Sequence, residues 1–235
     1  VFVEKKIDNI LWKVVYLELQ PLMQQQMTSK REVSERKHKL YEKLFESIRF
    51  YNDFVNSIEE IITEKMKTIN AAKESVQNSS NTAADPLLLS SSISSQPSNL
   101  SMSTKRKAAF KQLEKEIDTY HLIEAFQLAR LGDLQRYVEK FTKQESEQSW
   151  NVAVDCYTKG LQCYPGIGQI YNNLGVIAYT LGDDFVSMHQ YMRALSTPQH
   201  KFCAHENLLA AIERNRNAFE KLLKEFDIQY FVCFM

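Results

Sequence analysis

Residues 170–198, "IYNNLGVIAYTLGDDFVSMHQYMRALSTP", decide the fold. Their apolar positions recur every three or four residues, which is the period of an α-helix, and Gly182 interrupts the pattern near its middle. The stretch therefore predicts two short antiparallel helices with Gly182 in the turn. Large and small side chains fall at the positions where such helices touch, and the small ones allow a close approach: Tyr171, Leu174, Gly175, Tyr191 and Ala194.

The second helix of this pair has an earlier copy. Large and small positions recur at a spacing of 34 residues: Ala153, Tyr157, Gly160 and Pro165 precede Ser187, Tyr191, Ala194 and Gln199. This spacing is typical of tetratricopeptide helix pairs. The matching first helix carries Leu131 and Gly132, but Gly132 lies nine residues too far upstream, so we expect residues 143–151, "KQESEQSWN", to loop out.

Helical periodicity also covers the first half of the chain. One apolar stripe predicts a helix over about residues 34–72, with Leu40, Leu44, Ile48, Tyr51, Val55, Ile58 and Ile62 on its buried side. An earlier helix, "ILWKVVYLELQPLM", is expected to kink or end at Pro21, because proline lacks the N–H that an inner helical turn needs.

A serine-rich segment, residues 78–104, separates the long N-terminal helices at residues 1–77 from helix pairs of the same domain at 105–226. It has little charge and two prolines, which predicts a disordered loop. Residues 227–235 read as the start of a further helical region, and both ends of the chain read as the interior of a longer protein. The expected class is all-α.

The net charge and the cysteines limit which classes of function and which cell compartments the sequence favours. Lys plus Arg equals Asp plus Glu at 29 each, so the whole chain has no general attraction for nucleic acid. The four cysteines lie in apolar helical patterns and predict buried, reduced thiols in a protein of the cytoplasm or the nucleus. No apolar run reaches the ~20 residues of a membrane span.

Several segments resemble the 14-3-3-like domain of the ever-shorter-telomeres and SMG family of nonsense-mediated mRNA decay factors. They are "LWKVVYLELQPLM", "LGDLQRYVEK", "YPGIGQIYNNLGVIAYTLGD", "YMRAL" and "AHENLLAAIE". The family segment P-x-x-G-x-x-Y/F-N-Q-L is matched from Pro165 to Leu174, with Asn173 replacing the usual Gln. The resemblance implies an antiparallel 14-3-3-like helical array. It is closest to the branch called member five, with member seven as the alternative.

The resemblance also implies a phosphopeptide site. True 14-3-3 proteins carry a similar Gly-Asp-x-x-Arg-Tyr segment, and the corresponding Arg136 and Tyr137 become phosphate ligands. Asn172 and Asn207 become clamps for the peptide backbone. A guanidinium fork and a phenol suit phosphate oxygens, and an amide can bond to both N–H and C=O of an extended peptide.

One departure weakens the implied site. Binding-competent family members place a lysine five residues after the Trp of the first helix, where this chain has Leu17. Lys13 lies one turn earlier on the same face and is the substitute cation. The alternative interpretation is that Arg136 and Tyr137 only pack the helix pair, with Asp133 pairing to Arg136.

The function implied is that of an adaptor in nonsense-mediated mRNA decay, not an enzyme. The expected partners are a related 14-3-3-like family member, member seven, in a heterodimer, and the phosphorylated up-frameshift RNA helicase. The alternative is single-stranded nucleic-acid or telomerase-associated binding, which needs a basic stripe that the sequence does not provide. No cofactor is expected. No metal is expected either, because His200, Cys203 and His205 fit no common zinc spacing.

Overall fold

The computed structural model describes residues 2–24, 30–81, 98–198 and 203–233. These ranges contain seven α-helices and a 3-10 turn at Glu145–Glu147. The helices are α1 (Phe2–Gln24), α2 (Lys30–Asn81), α3 (Ser98–Thr142), α4 (Asn151–Cys163), α5 (Gly168–Thr180), α6 (Asp184–Ser196) and α7 (Cys203–Cys233). The predicted all-α class is confirmed. Within the same ranges, no helix has both the length and the apolarity that a membrane span requires.

Consecutive helices pack against each other in antiparallel fashion, since later residues of one helix meet earlier residues of the other. Side-chain contacts fix this direction for the first three helices: Lys43 with Glu18 and Arg36 with the Leu22 carbonyl, then Lys65 with Glu116 and Lys73 with Glu114. Helices α5 and α6 are also antiparallel, with Arg193 bonded to Tyr171, and so are α6 and α7, with Arg214 bonded to Asp184. The predicted antiparallel array is therefore observed.

The apolar stripe of α2 forms the first part of the core. All seven stripe residues are buried, and Leu44 and Tyr51 have no exposed surface. The five stripe residues from Leu40 to Val55 pack in one cluster with Leu19 of α1 and with Leu131 and Leu134 of α3. Burial of a Leu or Ile side chain contributes about 1.5–3 kcal/mol, so this stripe supplies much of the stability of the N-terminal half.

The long helices extend further than the sequence predicted. α2 continues to Asn81 and α3 begins at Ser98, so both ends of the predicted loop 78–104 are helical. Its middle, residues 82–97, lies outside the described residues. Of the kink or end expected at Pro21, the end does not occur, because α1 runs through it to Gln24. Leu22 and Met23 pack on the core and hold the last turn despite the lost hydrogen bond.

The two repeated helix pairs have the same close contact. A Cβ at Gly132 would lie 2.4 Å from Tyr157 Cε1, and a Cβ at Gly175 would lie 2.5 Å from Tyr191 Cε1. In each pair a tyrosine ring thus lies on a glycine of the preceding helix. Gly182 has a φ of 81° in the turn between α5 and α6, as its position predicted.

The segment expected to loop out does so. α3 ends at Thr142 and α4 begins at Asn151, with the 3-10 turn between them. Glu139 closes this connection by accepting hydrogen bonds from Lys143 Nζ at 2.8 Å and from the Ser149 backbone N–H at 2.7 Å. The first repeated pair is therefore the end of α3 packed against α4.

Candidate functional site

A cavity of about 330 Å³ opens where α1, α3 and α5 meet. Each helix supplies polar side chains to it. Three of the residues predicted for the phosphate site, Lys13, Arg136 and Tyr137, line this one cavity. The full lining consists of Trp12, Lys13 and Tyr16 from α1, Asp133, Arg136 and Tyr137 from α3, and Gln169 and Asn173 from α5.

The buried carboxylate of Asp133 is the centre of the site, with 4% of the residue exposed. Its Oδ1 accepts hydrogen bonds of 2.7 Å from the Tyr157 hydroxyl and from the Asn173 side-chain amide. Its Oδ2 accepts a bond of 3.3 Å from Gln169 Nε2. Three donors from α4 and α5 therefore hold this carboxylate in place on α3.

Two arginines of α3 neutralise the same carboxylate. Arg136 Nη2 lies 3.5 Å from Asp133 Oδ1, and Arg130 Nη1 lies 3.8 Å from Oδ2. The Arg130 guanidinium also lies over the Trp12 ring, 4.8 Å from its centroid. The pairing of Asp133 with Arg136 that the sequence suggested is thus present. It fixes the guanidinium at the wall of the cavity.

Burial and charge keep the site in one protonation state. Burial alone lowers the pKa of the Arg136 guanidinium, but the nearby oxygens of Tyr157, Asp133 and Tyr137 raise that pKa above its ordinary value. Burial, reinforced by the Asp133 charge, raises the pKa of Tyr137 and raises the pKa of Tyr157 further. At neutral pH the site therefore presents a cationic Arg136 and two neutral phenols.

The two predicted backbone clamps lie next to each other and bond together. Asn207 Nδ2 donates to Asn172 Oδ1 at 2.9 Å, and Asn172 Nδ2 donates to Asn173 Oδ1 at 3.3 Å. Asn172 is buried and Asn207 is partly exposed. A chain of side-chain bonds thus runs from Asn207 on α7 to Asp133 on α3, and Asn172 reaches the cavity only through Asn173.

The position of the missing family lysine is occupied by an exposed apolar side chain. Leu17 is 55% exposed and is not among the residues that line the cavity. Lys13, one turn earlier on α1, does line it. The first helix therefore supplies its cation to this cavity from residue 13.

Sequence reasoning missed the groups that position Arg136. Tyr157 appeared only as a large repeat residue, and Asn173 only as a replacement for glutamine, yet both bond to Asp133. Trp12 and Tyr16 were noted as helix residues and not as cavity walls. Their spacing to Lys13 was the available signal, because residues 12, 13 and 16 lie on one side of a helix.

The described ranges bring no three His, Cys, Asp or Glu side chains together in a ligating arrangement. His200 lies outside those ranges. Cys163 is a poor ligand by itself, because burial and the Glu124 carboxylate raise the pKa of its thiol to about 12.

The C-terminal third of the chain matches a known domain. Residues 153–229 match the family model described as the Est1 DNA/RNA binding domain. Two proteins of Arabidopsis thaliana are similar to the chain: a "Nonsense-mediated mRNA decay factor SMG7-like", 32% identical over 37% of this chain, and "Nonsense-mediated mRNA decay factor SMG7", 26% identical over 56%. These matches show that the chain is similar to the ever-shorter-telomeres and SMG family.

The family match has clear bounds. The matched segments cover 10% and 12% of the two plant relatives. Both relatives carry member-seven names, and the matches assign no branch within the family, so member five stays a prediction. A solved structure of the C. elegans SMG5-SMG7 complex aligns over 84% of this chain and 51% of that chain, with a TM-score of 0.34 and 18% identity.

Proposed function

We propose that this chain is a phosphopeptide-binding adaptor domain of a nonsense-mediated mRNA decay factor, acting in the cytoplasm. Its ligand is a phosphorylated segment of the up-frameshift RNA helicase, bound in the cavity between α1, α3 and α5. The plant relatives, both named as decay factors, support the pathway. The role is that of a docking surface, as is common for arrays of helical repeats.

One observation carries the proposal: Lys13, Arg136 and Tyr137 line the same cavity. A phosphoserine carries a charge of about −1.5 to −2 and three acceptor oxygens. An ammonium, a guanidinium and a neutral phenol supply matching donors, and the two cations balance the charge. Asp133 does not cancel this attraction, because Arg130 shares its carboxylate with Arg136.

A titration with peptides tests the proposal. A helicase-derived peptide is measured in phosphorylated and unphosphorylated form against the wild-type chain by calorimetry. We expect the phosphorylated form to bind at least tenfold more tightly. An Arg49→Gln variant serves as control, since Arg49 is exposed on α2 and away from the cavity. Equal affinity for both peptides would contradict the proposal.

The second partner we propose is a related 14-3-3-like family member, joined in a heterodimer. The family resemblance supports this pairing. Coexpression with member-seven and member-five domains, followed by chromatography with mass measurement, tests it. A complex of one copy of each chain is expected, and a mass equal to the single chain in both mixtures would contradict it.

Nucleic-acid binding is the second candidate, because the matching family model is named for DNA and RNA. The matched segment 153–229 has seven Lys and Arg against eight Asp and Glu, so it lacks the positive charge that phosphate backbones attract. Titration with single-stranded RNA and DNA at several salt concentrations separates the candidates. Affinity whose logarithm falls steeply with the logarithm of salt would favour the nucleic-acid function.

A further inference from the structure

A second cavity, of about 500 Å³, lies beyond Arg136 along the same face of α3. Lys140 lines it from α3, Lys143 from the connection directly after α3, Lys37 from α2, and Thr180 from α5. Arg136 lines both this cavity and the first one. The two cavities are therefore neighbours that share Arg136.

We propose that this second cavity binds a second anionic side chain of the same peptide, so that the ligand is a segment with two phosphorylated residues or with one phosphorylated and one acidic residue. The inference rests on the proposed function, since the first phosphate must lie at Lys13, Arg136 and Tyr137. It goes further by naming the class of peptide that the domain prefers.

The charge of the second cavity supports an anionic ligand. Lys143 is paired with Glu139 at 2.8 Å, and Arg136 is paired with Asp133. Lys37 and Lys140, in contrast, form no ion pair with any residue that the structure describes. Two lysines thus line one concave site whose described lining includes no carboxylate, and an anion bound there would be attracted to both.

The spacing of the cations sets the spacing of the anions. Arg136 and Lys140 stand at helical positions i and i+4, so they share one face of α3, and Lys143 follows directly after the helix ends at Thr142. At 1.5 Å per residue, Lys140 lies about 6 Å along the helix from Arg136. An extended peptide advances roughly 3.3 Å per residue. The second anion is therefore expected about two residues from the first.

The residues that line the cavity favour a peptide over a nucleic-acid strand as its ligand. Bases of single strands usually stack on exposed aromatic rings. Trp150 is the aromatic residue that lines this cavity, and it is 9% exposed and packed in the core with Tyr157. No stacking platform accompanies the lysines here, whereas isolated anionic side chains need none.

Calorimetric titration with four forms of one peptide tests the inference. The forms carry no phosphate, one phosphate, two phosphates separated by two residues, and one phosphate with glutamate at the second position. We expect the doubly phosphorylated form to bind wild type roughly tenfold more tightly than the singly phosphorylated form, because charge-assisted bonds to two lysines are added. The glutamate form should lie between them.

Variants assign the effect to the cavity. In Lys37→Gln/Lys140→Gln the advantage of the second phosphate should vanish, while the affinity for the singly phosphorylated form stays within about twofold. Lys39→Gln/Lys111→Gln is the matched control, since it removes two exposed lysines from the same two helices. The control should keep the full advantage.

The outcomes separate the two proposals. If the singly phosphorylated peptide binds and the second phosphate adds nothing, the second site is refuted and the proposed function stands. If no phosphorylated form binds better than the unphosphorylated peptide, the proposed function is refuted, and the second site that rests on it is refuted as well. If the advantage is equal in both double variants, or if single-stranded RNA binds with an affinity that Lys37→Gln/Lys140→Gln abolishes, a peptide site in this cavity is overturned.

Discussion

The side-chain amide of Asn173 donates a 2.7 Å hydrogen bond to the Asp133 carboxylate, which lies forty residues earlier in the chain. This bond joins α5 to α3 at the wall of the candidate phosphate cavity. Through Asn172 and Asn207 the same chain of bonds continues to α7. Bonds from α5 and α7 therefore hold Asp133, which pairs with Arg136 on α3.

Removal of the Asp133 charge should destabilise the whole domain. Asp133→Ala leaves Arg130 and Arg136 without their shared carboxylate and leaves Tyr157 and Asn173 without an acceptor. Loss of one partner of a buried ion pair typically costs about 3–5 kcal/mol. We expect urea denaturation to show a loss of this size.

Two companion variants keep this test interpretable. Asp133→Asn retains an acceptor oxygen and should lose less stability than Asp133→Ala. Asp155→Ala removes an exposed carboxylate of α4 and should change the free energy of unfolding by less than about 0.5 kcal/mol. A similar small loss for Asp133→Ala would mean that Asp133 is not the centre of the site.

Close packing of the repeat helices should make Gly175 intolerant of any side chain. A Cβ there would lie 2.5 Å from the ring of Tyr191, which is buried and cannot move away. Overpacking of this kind costs about 1–3 kcal/mol, which outweighs the ~1 kcal/mol that alanine gains over glycine in a helix. Gly175→Ala should therefore lower the free energy of unfolding, and Gly175→Leu should also reduce helical content and solubility.

A double-mutant cycle isolates the contact. In a Tyr191→Leu background the ring is absent, so Gly175→Ala should cost less than it does in the wild type. Equal costs in the two backgrounds would show that the tyrosine ring is not what excludes a side chain at this glycine.

The sequence predicted regular packing better than it predicted the polar site. The stripe from Leu40 to Ile62 and the contact of Gly175 with Tyr191 follow from helical period and residue size, which are local properties. The bonds of Asp133 to Tyr157 and Asn173 join residues 24 and 40 positions apart. No local sequence pattern specifies which polar side chains of different helices come into contact. The side chains that position Arg136 could therefore be identified only from the structure.

Variants of α1 test which of its residues supplies a positive charge to the cavity. Lys13→Gln removes the cation that lines the cavity and should weaken phosphopeptide binding roughly tenfold, as one charge-assisted bond is lost. Leu17→Lys restores the family lysine on the same helix and should strengthen binding. The gain should be larger in the Lys13→Gln background, where Arg136 is the cation that remains among the described lining residues. Titration of the four chains with one phosphopeptide checks this order of affinities, and a neutral effect of Lys13→Gln would contradict the site.

Alkaline pH should destabilise the protein through its buried tyrosines. Burial raises the pKa of Tyr191 to about 12, above the value near 10 expected in the unfolded chain. A raised pKa means that the neutral phenol is favoured in the folded state, so its contribution is fully present below about pH 10 and is lost as pH rises towards 12. Tyr191→Phe should therefore flatten the fall of the free energy of unfolding above about pH 10. Tyr41→Phe, at an exposed tyrosine, should leave the slope unchanged.

The most direct test of the phosphate site compares wild type with Arg136→Gln in titrations of one peptide with and without its phosphate. The glutamine keeps much of the side-chain length but loses the charge that faces the cavity, and the melting temperature of each chain is measured to confirm that both are folded. We predict that wild type prefers the phosphorylated peptide at least tenfold and that folded Arg136→Gln has no preference. A folded Arg136→Gln variant that retains the full preference would show that Arg136 only supports the fold and that the phosphate is not bound in this cavity.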